Sequence, residues 1–362
     1  MKILLTGGGT AGHVMPNLAL VPELKARGYD IVYVGSYNGM EKGLVEREGI
    51  RYLGISSGKL RRYFDWKNFT DPFRVLKGFG EAKKILKAER PDVVFSKGGY
   101  VAVPVVRAAK GLHIPVVIHE ADLTPGLANK LSLSTATTVC CNFPETLEHL
   151  PKDKAVLTGM PIRANLLSGS REAGLARAGF SGEKPVLMII GGSLGSVAVN
   201  KAVRAVLPTL LEKFDVLHLC GRGNLAPELD GTPGYVQQEF ANEELADYYA
   251  AADVFISRAG ANVICELLAL GKPNLLIPYP KTASRGDQIL NARSFEKQGF
   301  SMVLEEEEIT EPHILSDRVF ALYEDRERYA AAMKGAAQSD GVRVVADLID
   351  SARSGGGKGR KF

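Results

Sequence analysis

Lys2-Ile-Leu-Leu-Thr6-Gly7-Gly8-Gly9-Thr10-Ala11-Gly12-His13 carries an apolar strand straight into a glycine loop, and Pro16 to Arg27 then reads as a helix. The same order returns later: Pro185-Val-Leu-Met-Ile-Ile190, the loop Gly191-Gly192-Ser193-Leu194-Gly195-Ser196, and a helix from Val197 to Lys213. A strand, a glycine loop and a helix met twice in one chain imply two Rossmann-like α/β halves, each built on a parallel sheet. The first copy matches G-x-G-x-x-G, whose small residues let a phosphate approach a helix N-terminus. A dinucleotide site also wants an acid at the end of the second strand, but Asp30-Ile-Val-Tyr-Val-Gly35 runs into Ser36. The dinucleotide assignment fails there. What survives is a loop able to hold an anion beside His13, itself equally readable as a helix-start hydrogen-bonding group.

Working outward, Pro91-Asp-Val-Val-Phe95 is the next strand and ends in Ser96-Lys97-Gly98-Gly99-Tyr100. Ile114-Pro-Val-Val-Ile118 delivers His119-Glu120-Ala121-Asp122. Gly159-Met160-Pro161-Ile162-Arg163 marks a junction between domains. In the second half, Asp253-Val-Phe-Ile-Ser-Arg258-Ala-Gly260-Ala-Asn262-Val-Ile-Cys-Glu266 reads as a strand, a turn of small residues and a helix stopped by Gly271 and Pro273. Ligands of open α/β sheets bind outside the carboxyl ends of the strands, where Ala259, Gly260 and Ala261 fall. Glu266, one turn inside the helix on the flank of its apolar stripe, suits a ribose diol or, more plainly, the helix macrodipole. Pro312 to Gln338 and Asp340 to Arg353 read as closing helices.

The 362 residues exceed what one core usually serves, so two domains are expected. With 45 basic against 41 acidic residues, the charge balance does not announce a nucleic-acid binder. Four cysteines without a CxxC spacing and only six histidines argue against a structural metal and for reduced thiols. No signal-peptide core and no membrane-spanning apolar run is present, so membrane contact is expected to be peripheral. Residues 58–80 are the compositional outlier: four of 14 Phe and the single Trp, interleaved with Lys and Arg. Arg61, Arg62, Trp66, Phe69 and Phe73 there suit the headgroup layer of an anionic bilayer, or a loop and helix packed on the domain.

In order and spacing, Gly8-Gly9-Thr10-Ala11-Gly12-His13, Gly98-Gly99-Tyr100-Val101, His119-Glu120, Pro161-Ile162-Arg163, Gly191-Gly192-Ser193-Leu194-Gly195 and Ser257-Arg258-Ala259-Gly260-Ala261 with Glu266 form one set. That set resembles the MurG-type peptidoglycan N-acetylglucosaminyltransferases, from residue 3 to about residue 350. The resemblance implies the GT-B fold, two Rossmann-like domains facing a cleft. Residues 1–160 would take acceptor and membrane, 161–338 the UDP-sugar donor, a helix near 340–353 would pack back on the first domain, and 354–362 would be a disordered tail.

The activity implied is inverting transfer of N-acetylglucosamine from UDP-N-acetylglucosamine to the 4-hydroxyl of MurNAc in undecaprenyl-diphospho-MurNAc-pentapeptide (lipid I). The product is lipid II, made at the cytoplasmic membrane face with no cofactor and no metal, and with other cell-wall synthesis proteins as candidate partners. The implied donor residues are Thr10, Gly12, Asp122, Arg163, Ser193, Phe240, Ala241, Arg258, Ala261, Asn262, Glu266, Asp287 and Gln288. Among them Glu266 would hold the ribose, Ser193 and Arg163 the diphosphate, the backbone of Phe240 and Ala241 the uracil, and Asp287 with Gln288 the sugar hydroxyls. Gly9, Gly12, Gly98, Gly99 and Tyr100 would cradle the acceptor pyrophosphate. His13, Glu120 and Asp122 are rival general bases. One departure is Ala121-Asp122, where many members carry Gln-Asn, which replaces an amide donor by a carboxylate. Another UDP-sugar enzyme of this fold, a glycolipid glycosyltransferase or a UDP-N-acetylglucosamine 2-epimerase, would share Glu266 and the loops. A non-catalytic membrane subunit would need only one intact half.

Overall fold

The computed structural model describes residues 1–58, 67–192, 195–282, 286–336 and 340–355, without the side chains of residues 67–73 and 312. It divides into two units, Met1–Arg163 with Ser339–Phe362, and Ala164–Gln338. The first holds β1 (Lys2–Thr6), β2 (Asp30–Ser36), β3 (Arg51–Ile55), β4 (Val93–Ser96), β5 (Val116–Glu120), β6 (Thr138–Cys141) and β7 (Ala155–Leu157). The second holds β8 (Val186–Ile190), β9 (Asp215–Leu219), β10 (Tyr235–Gln238), β11 (Val254–Ser257), β12 (Asn274–Leu276) and β13 (Met302–Val303). Spatial order is β3-β2-β1-β4-β5-β6-β7 in one sheet and β10-β9-β8-β11-β12-β13 in the other. Every pairing is parallel, with Thr6 opposite Ser96 in the first sheet and Ile190 opposite Ser257 in the second. In both sheets the strand order reverses beside the first strand, between β1 and β4 and between β8 and β11. Such a switch point opens a crevice at the strands' carboxyl ends.

Two-sided burial explains the unbroken apolar strands. Ile3 and Leu5 enter one core with Val93 and Phe95, while Leu4 enters the other with Val94, as the two-residue period of a strand requires. The closing helix Gly341–Gly355 belongs to the first unit: Val345, Ile349 and Ala352 share a core with Leu20 and Leu24. Arg27 and the Tyr29 hydroxyl both bind Asp350, at 2.9 and 2.5 Å.

Several elements differ from the expectation. The span 197–213 is two helices, Val197–Ala205 and Leu207–Lys213, because Pro208 lacks the N–H that would continue the ladder across Val206. Residues 312–338 likewise divide into Pro312–Glu324 and Arg326–Gly335 at Asp325. Ser354 and Gly355, expected in a disordered tail, extend the closing helix, with the Ser354 hydroxyl donating to the Asp350 carbonyl. Residues 356–362 lie outside the described residues, as do Arg61, Arg62, Trp66 and the side chains of Phe69 and Phe73. The backbone of Lys67–Glu89 is one helix. Among the described residues no helix is long and apolar enough to cross a membrane.

Candidate active site

At the switch point of the first sheet, two glycine loops touch. Gly99 has φ +82°, and a Cβ on it would overlap the carbonyl oxygen of Gly8, so only glycine fits. The Tyr100 ring covers Gly9, where a Cβ would come within 2.6 Å of it. Below the loop lies Glu41, fully buried: Oε1 accepts from the Ser36 N–H (2.9 Å) and hydroxyl (2.6 Å), Oε2 from the Gly9 N–H (3.3 Å). The loop continues through exposed Thr10 and half-buried Gly12 into one 3-10 turn, Ala11–His13. There the half-buried His13 has Nδ1 2.9 Å from Thr10 Oγ1.

β5 carries His119 and Glu120 to the same sheet edge. Lys97, itself buried, donates to His119 Nδ1 (2.9 Å), and His119 Nε2–H donates to the Gly159 carbonyl (2.9 Å). Burial first, then the Lys97 charge, hold the His119 pKa well below its ordinary value, so the ring is neutral. Glu120 accepts the N–H groups of Asp122 and Gly126 (both 3.0 Å) and the Asn129 amide (2.8 Å). Burial, and next the Asp122 charge, raise its pKa against those bonds. Both Glu120 oxygens thus accept bonds from its own loop, which holds the turn after β5. Asp122 is half-buried, and its carbonyl accepts from Thr146.

The second sheet builds its edge differently. Gly195 (φ +71°) passes so close to the Cys220 carbonyl that a Cβ would overlap it. Ser196 caps the helix Val197–Ala205, accepting the Val199 N–H at 3.3 Å. Arg258, 4% exposed, donates to the carbonyls of Ile277 (2.9 Å) and Pro278 (3.2 Å), to Ser196 Oγ (2.5 Å) and to Glu306, with its guanidinium 4.0 Å from the Tyr279 ring centroid. It thereby ties the glycine loop to the ends of β11 and β12. Beside it, Gly260, which has no side chain to cap with, precedes the helix Ala261–Ala269, and Ala261 is buried.

Asn262 and Glu266 are half-buried in that helix, and Glu266 Oε2 accepts from the Tyr249 hydroxyl at 3.1 Å. Gln288 Oε1 accepts the Tyr279 N–H (3.2 Å), and Asn291 donates to the Ala259 carbonyl (3.2 Å), which brings the helix Asp287–Lys297 to the same edge. Asp287 is its first residue. Phe240, 37% exposed, has the Arg222 guanidinium 5.7 Å from its ring centroid, with Ala241 beside it. Ser193 lies outside the described residues.

Four expected donor residues fall in the first unit: Thr10, Gly12, Asp122 and Arg163. Arg163 ends the first of its two segments, because the His119–Gly159 bond and the packing of Gly341 on Met160 tie this stretch to the first sheet. Sequence reasoning missed Glu41, Lys97 and Tyr249. Only the position of Glu41 in the first turn of the helix Met40–Arg47 carried a local signal, and that signal also fits a macrodipole partner.

Comparison with known proteins places these two edges in one family. The N-terminal domain model of glycosyltransferase family 28 matches residues 3–141, and its C-terminal domain model residues 186–349. A protein of Lachnospira eligens named UDP-N-acetylglucosamine--N-acetylmuramyl-(pentapeptide) pyrophosphoryl-undecaprenol N-acetylglucosamine transferase is 58% identical over 348 residues, 96% of this chain and 98% of that protein. The protein of the same name from Lachnoclostridium phytofermentans is 58% identical over 97% of this chain and 99% of its own. Among solved structures, MurG of Acinetobacter baumannii superposes with a TM-score of 0.74 at 28% identity, covering 97% of this chain and 99% of that one. A kitacinnamycin glycosyltransferase reaches the same TM-score at 18% identity, a likeness of fold alone. With glycine loops at both switch points and both domain models matched in order, the chain belongs to glycosyltransferase family 28.

Proposed function

We propose that this chain transfers N-acetylglucosamine from UDP-N-acetylglucosamine to lipid I, giving lipid II with inversion at the sugar. The observation that carries the proposal is the 58% identity, over 96% of the chain, to a protein named for that transfer. The chemistry at the two edges supports it. In the second unit, Glu266 takes the ribose diol, the backbone at Phe240 and Ala241 the uracil, and Asp287 with Gln288 the sugar hydroxyls. The first turns of the helices that begin at Val197 and Ala261 face the diphosphate, as helix N-termini favour anions. In the first unit, Gly12, Gly98, Gly99 and Tyr100 receive the acceptor pyrophosphate. Gly9 contributes shape only, since its N–H is bonded to Glu41.

His13 is the base. For Nε2 to take the proton of the 4-hydroxyl, Nδ1 must carry hydrogen, and Thr10 Oγ1 stands 2.9 Å away to accept it. Thr10 therefore orients the imidazole. Arg258 acts through Ser196 and the loop, with its charge stabilising the departing UDP through space.

Labelled UDP-N-acetylglucosamine supplied with a lipid I analogue tests the proposal: label becomes lipid-linked. Label confined to a soluble sugar nucleotide would overturn it. The proposal extends to peripheral docking on an anionic membrane through residues 58–80, whose composition supports it. Replacing Arg61, Arg62, Phe69 and Phe73 together then lowers binding to anionic vesicles while transfer to a short-chain acceptor survives.

A further inference from the structure

Glu41 combines features that call for an explanation. It exposes no surface, and among the described residues its hydrogen-bond partners are neutral donors, the Ser36 N–H and hydroxyl and the Gly9 N–H. An unpaired carboxylate is costly to bury, so it persists only where hydrogen bonds hold it. The surrounding chain has made room for it. A Cβ at Gly8 would lie 2.7 Å from its carboxyl carbon, one at Gly35 2.8 Å from its Cγ, and one at Gly39 would overlap its oxygens. Tyr52 adds a further tie, its hydroxyl donating to the Ser36 carbonyl at 2.5 Å. The carboxylate therefore bridges the end of β2 to the glycine loop after β1, gripping that loop one residue before Thr10.

We propose that Glu41 is a positioning residue for the acceptor reaction: by holding the Gly9 N–H it sets the bend of the loop and so the placement of Thr10 and His13. This rests on the role of His13 proposed above. Glutamine has the same shape but only one acceptor oxygen. Its NH2 would have to meet either Gly9 N–H or the Ser36 donors, donor against donor, so one end of the bridge opens. A reacting group displaced by about 1 Å loses on the order of 10²-fold in rate.

The test compares wild type, Glu41→Gln and Glu41→Ala in the full chain. Donor and lipid I analogue are varied separately, with UDP calorimetry and thermal melting alongside. Glu41→Gln is expected to lower kcat about 10- to 100-fold with donor KM and UDP affinity within about twofold of wild type. Ser36→Ala, which removes one donor to the same carboxylate, moves kcat the same way by less, and the pair combines non-additively. A Glu41→Gln protein that melts earlier yet keeps kcat, or one that loses UDP affinity in parallel, overturns the inference. A readout independent of turnover separates it from the proposed activity: the NMR titration of the His13 imidazole in the free protein. Loss of the charge alone can displace that curve, so the Thr10 and Gly9 amide shifts are followed with it: they move in Glu41→Gln if Glu41 places the loop, and unmoved amides refute that role even where transfer to lipid I fails in the wild type.

Discussion

The glycine loop after β1 and the glycine loop after β8 leave equivalent positions of two similar sheets, yet a buried carboxylate holds the first and a buried guanidinium the second. Glu41 draws a loop N–H inward and leaves negative charge beneath it. Arg258, paired with Glu306, instead grips the hydroxyl of Ser196, which caps the following helix, and so turns the positive end of an ion pair toward a helix N-terminus. In the proposed reaction those signs match the needs of each side. A base gaining a proton is favoured near negative charge, and a departing diphosphate near positive charge. One loop design therefore serves two tasks through the sign of the charge buried behind it.

The largest effect should come from breaking the first side at its proposed base. His13→Ala is expected to lower kcat about 10²- to 10⁴-fold, as for loss of a general base, with UDP affinity unchanged because the proposed ribose and uracil contacts, Glu266 and the backbone at Phe240 and Ala241, sit in the second unit. Steady-state kinetics and UDP calorimetry together decide it. A near-normal kcat with a raised acceptor KM would make His13 a pyrophosphate ligand and move the search for the base to Asp122.

Breaking the second side at its guanidinium should act on donor binding and on stability together. Arg258→Met keeps the stem but leaves Glu306, Ser196 and two carbonyls without their donor. The Arg258 side chain is 5% exposed and that of Glu306 22%, so this pair lies near the buried limit, where removing one partner costs about 3 kcal/mol or somewhat more. Expected are an earlier unfolding transition and weaker UDP binding, with acceptor KM unchanged in protein that remains folded. Unchanged UDP affinity would show that the charge behind the loop is structural only, and the comparison of signs would fail.

A smaller effect sharpens the donor side. Glu266→Ala should weaken UDP by about 1.5–3 kcal/mol, the range for hydrogen bonds to a charged group. The Tyr249 hydroxyl, which donates to Glu266, offers a control. If Tyr249→Phe weakens UDP as much, the carboxylate works by being oriented. If only Glu266→Ala does so, the carboxylate binds the ribose itself.

Much of this was legible in the sequence because its signals are local. An apolar run, a glycine loop and a helix stripe each fit within a dozen residues, and their repetition announces the paired sheets. Pro208 was equally visible, but the apolar period resumes on both sides of it and hides the break at Val206. The roles of Glu41 and Arg258 were not legible, since they depend on residues brought together only by folding. Glu41 meets residues 9 and 36, and Arg258 meets residues 196, 277, 278 and 306. The internal acceptors of an arginine in a turn of small residues leave no mark on its neighbours in the sequence. The hold on Glu120 was hidden for the same reason, as its partner Asn129 lies nine residues on and turns back to it.

The smallest expected effect probes a respect in which the two units are alike. Each buries a neutral histidine beside a cation: His119 beside Lys97, and His218, whose ring lies 2.9 Å from Asn200 Oδ1 and 3.1 Å from the Tyr235 hydroxyl, beside Arg204. Burial first and the Arg204 charge second push the His218 pKa down to about 3, and His119 moves in the same direction. Because the folded values lie below the unfolded one, near 6.5, the unfolded chain takes up these protons first as pH falls. Stability from each ring is therefore intact above about pH 6.5 and lost progressively below it. Between pH 6.5 and 5.5 each histidine should remove at most about 1.4 kcal/mol. Two units need not unfold together, so hydrogen exchange resolved by unit is the measurement. Both units should lose protection over that interval. His218→Gln, which cannot titrate, should flatten the dependence in the second unit and leave the first as it was. Protection that grows on acidification in either unit would mean that its histidine is already protonated in the fold, and the likeness between the units would end there.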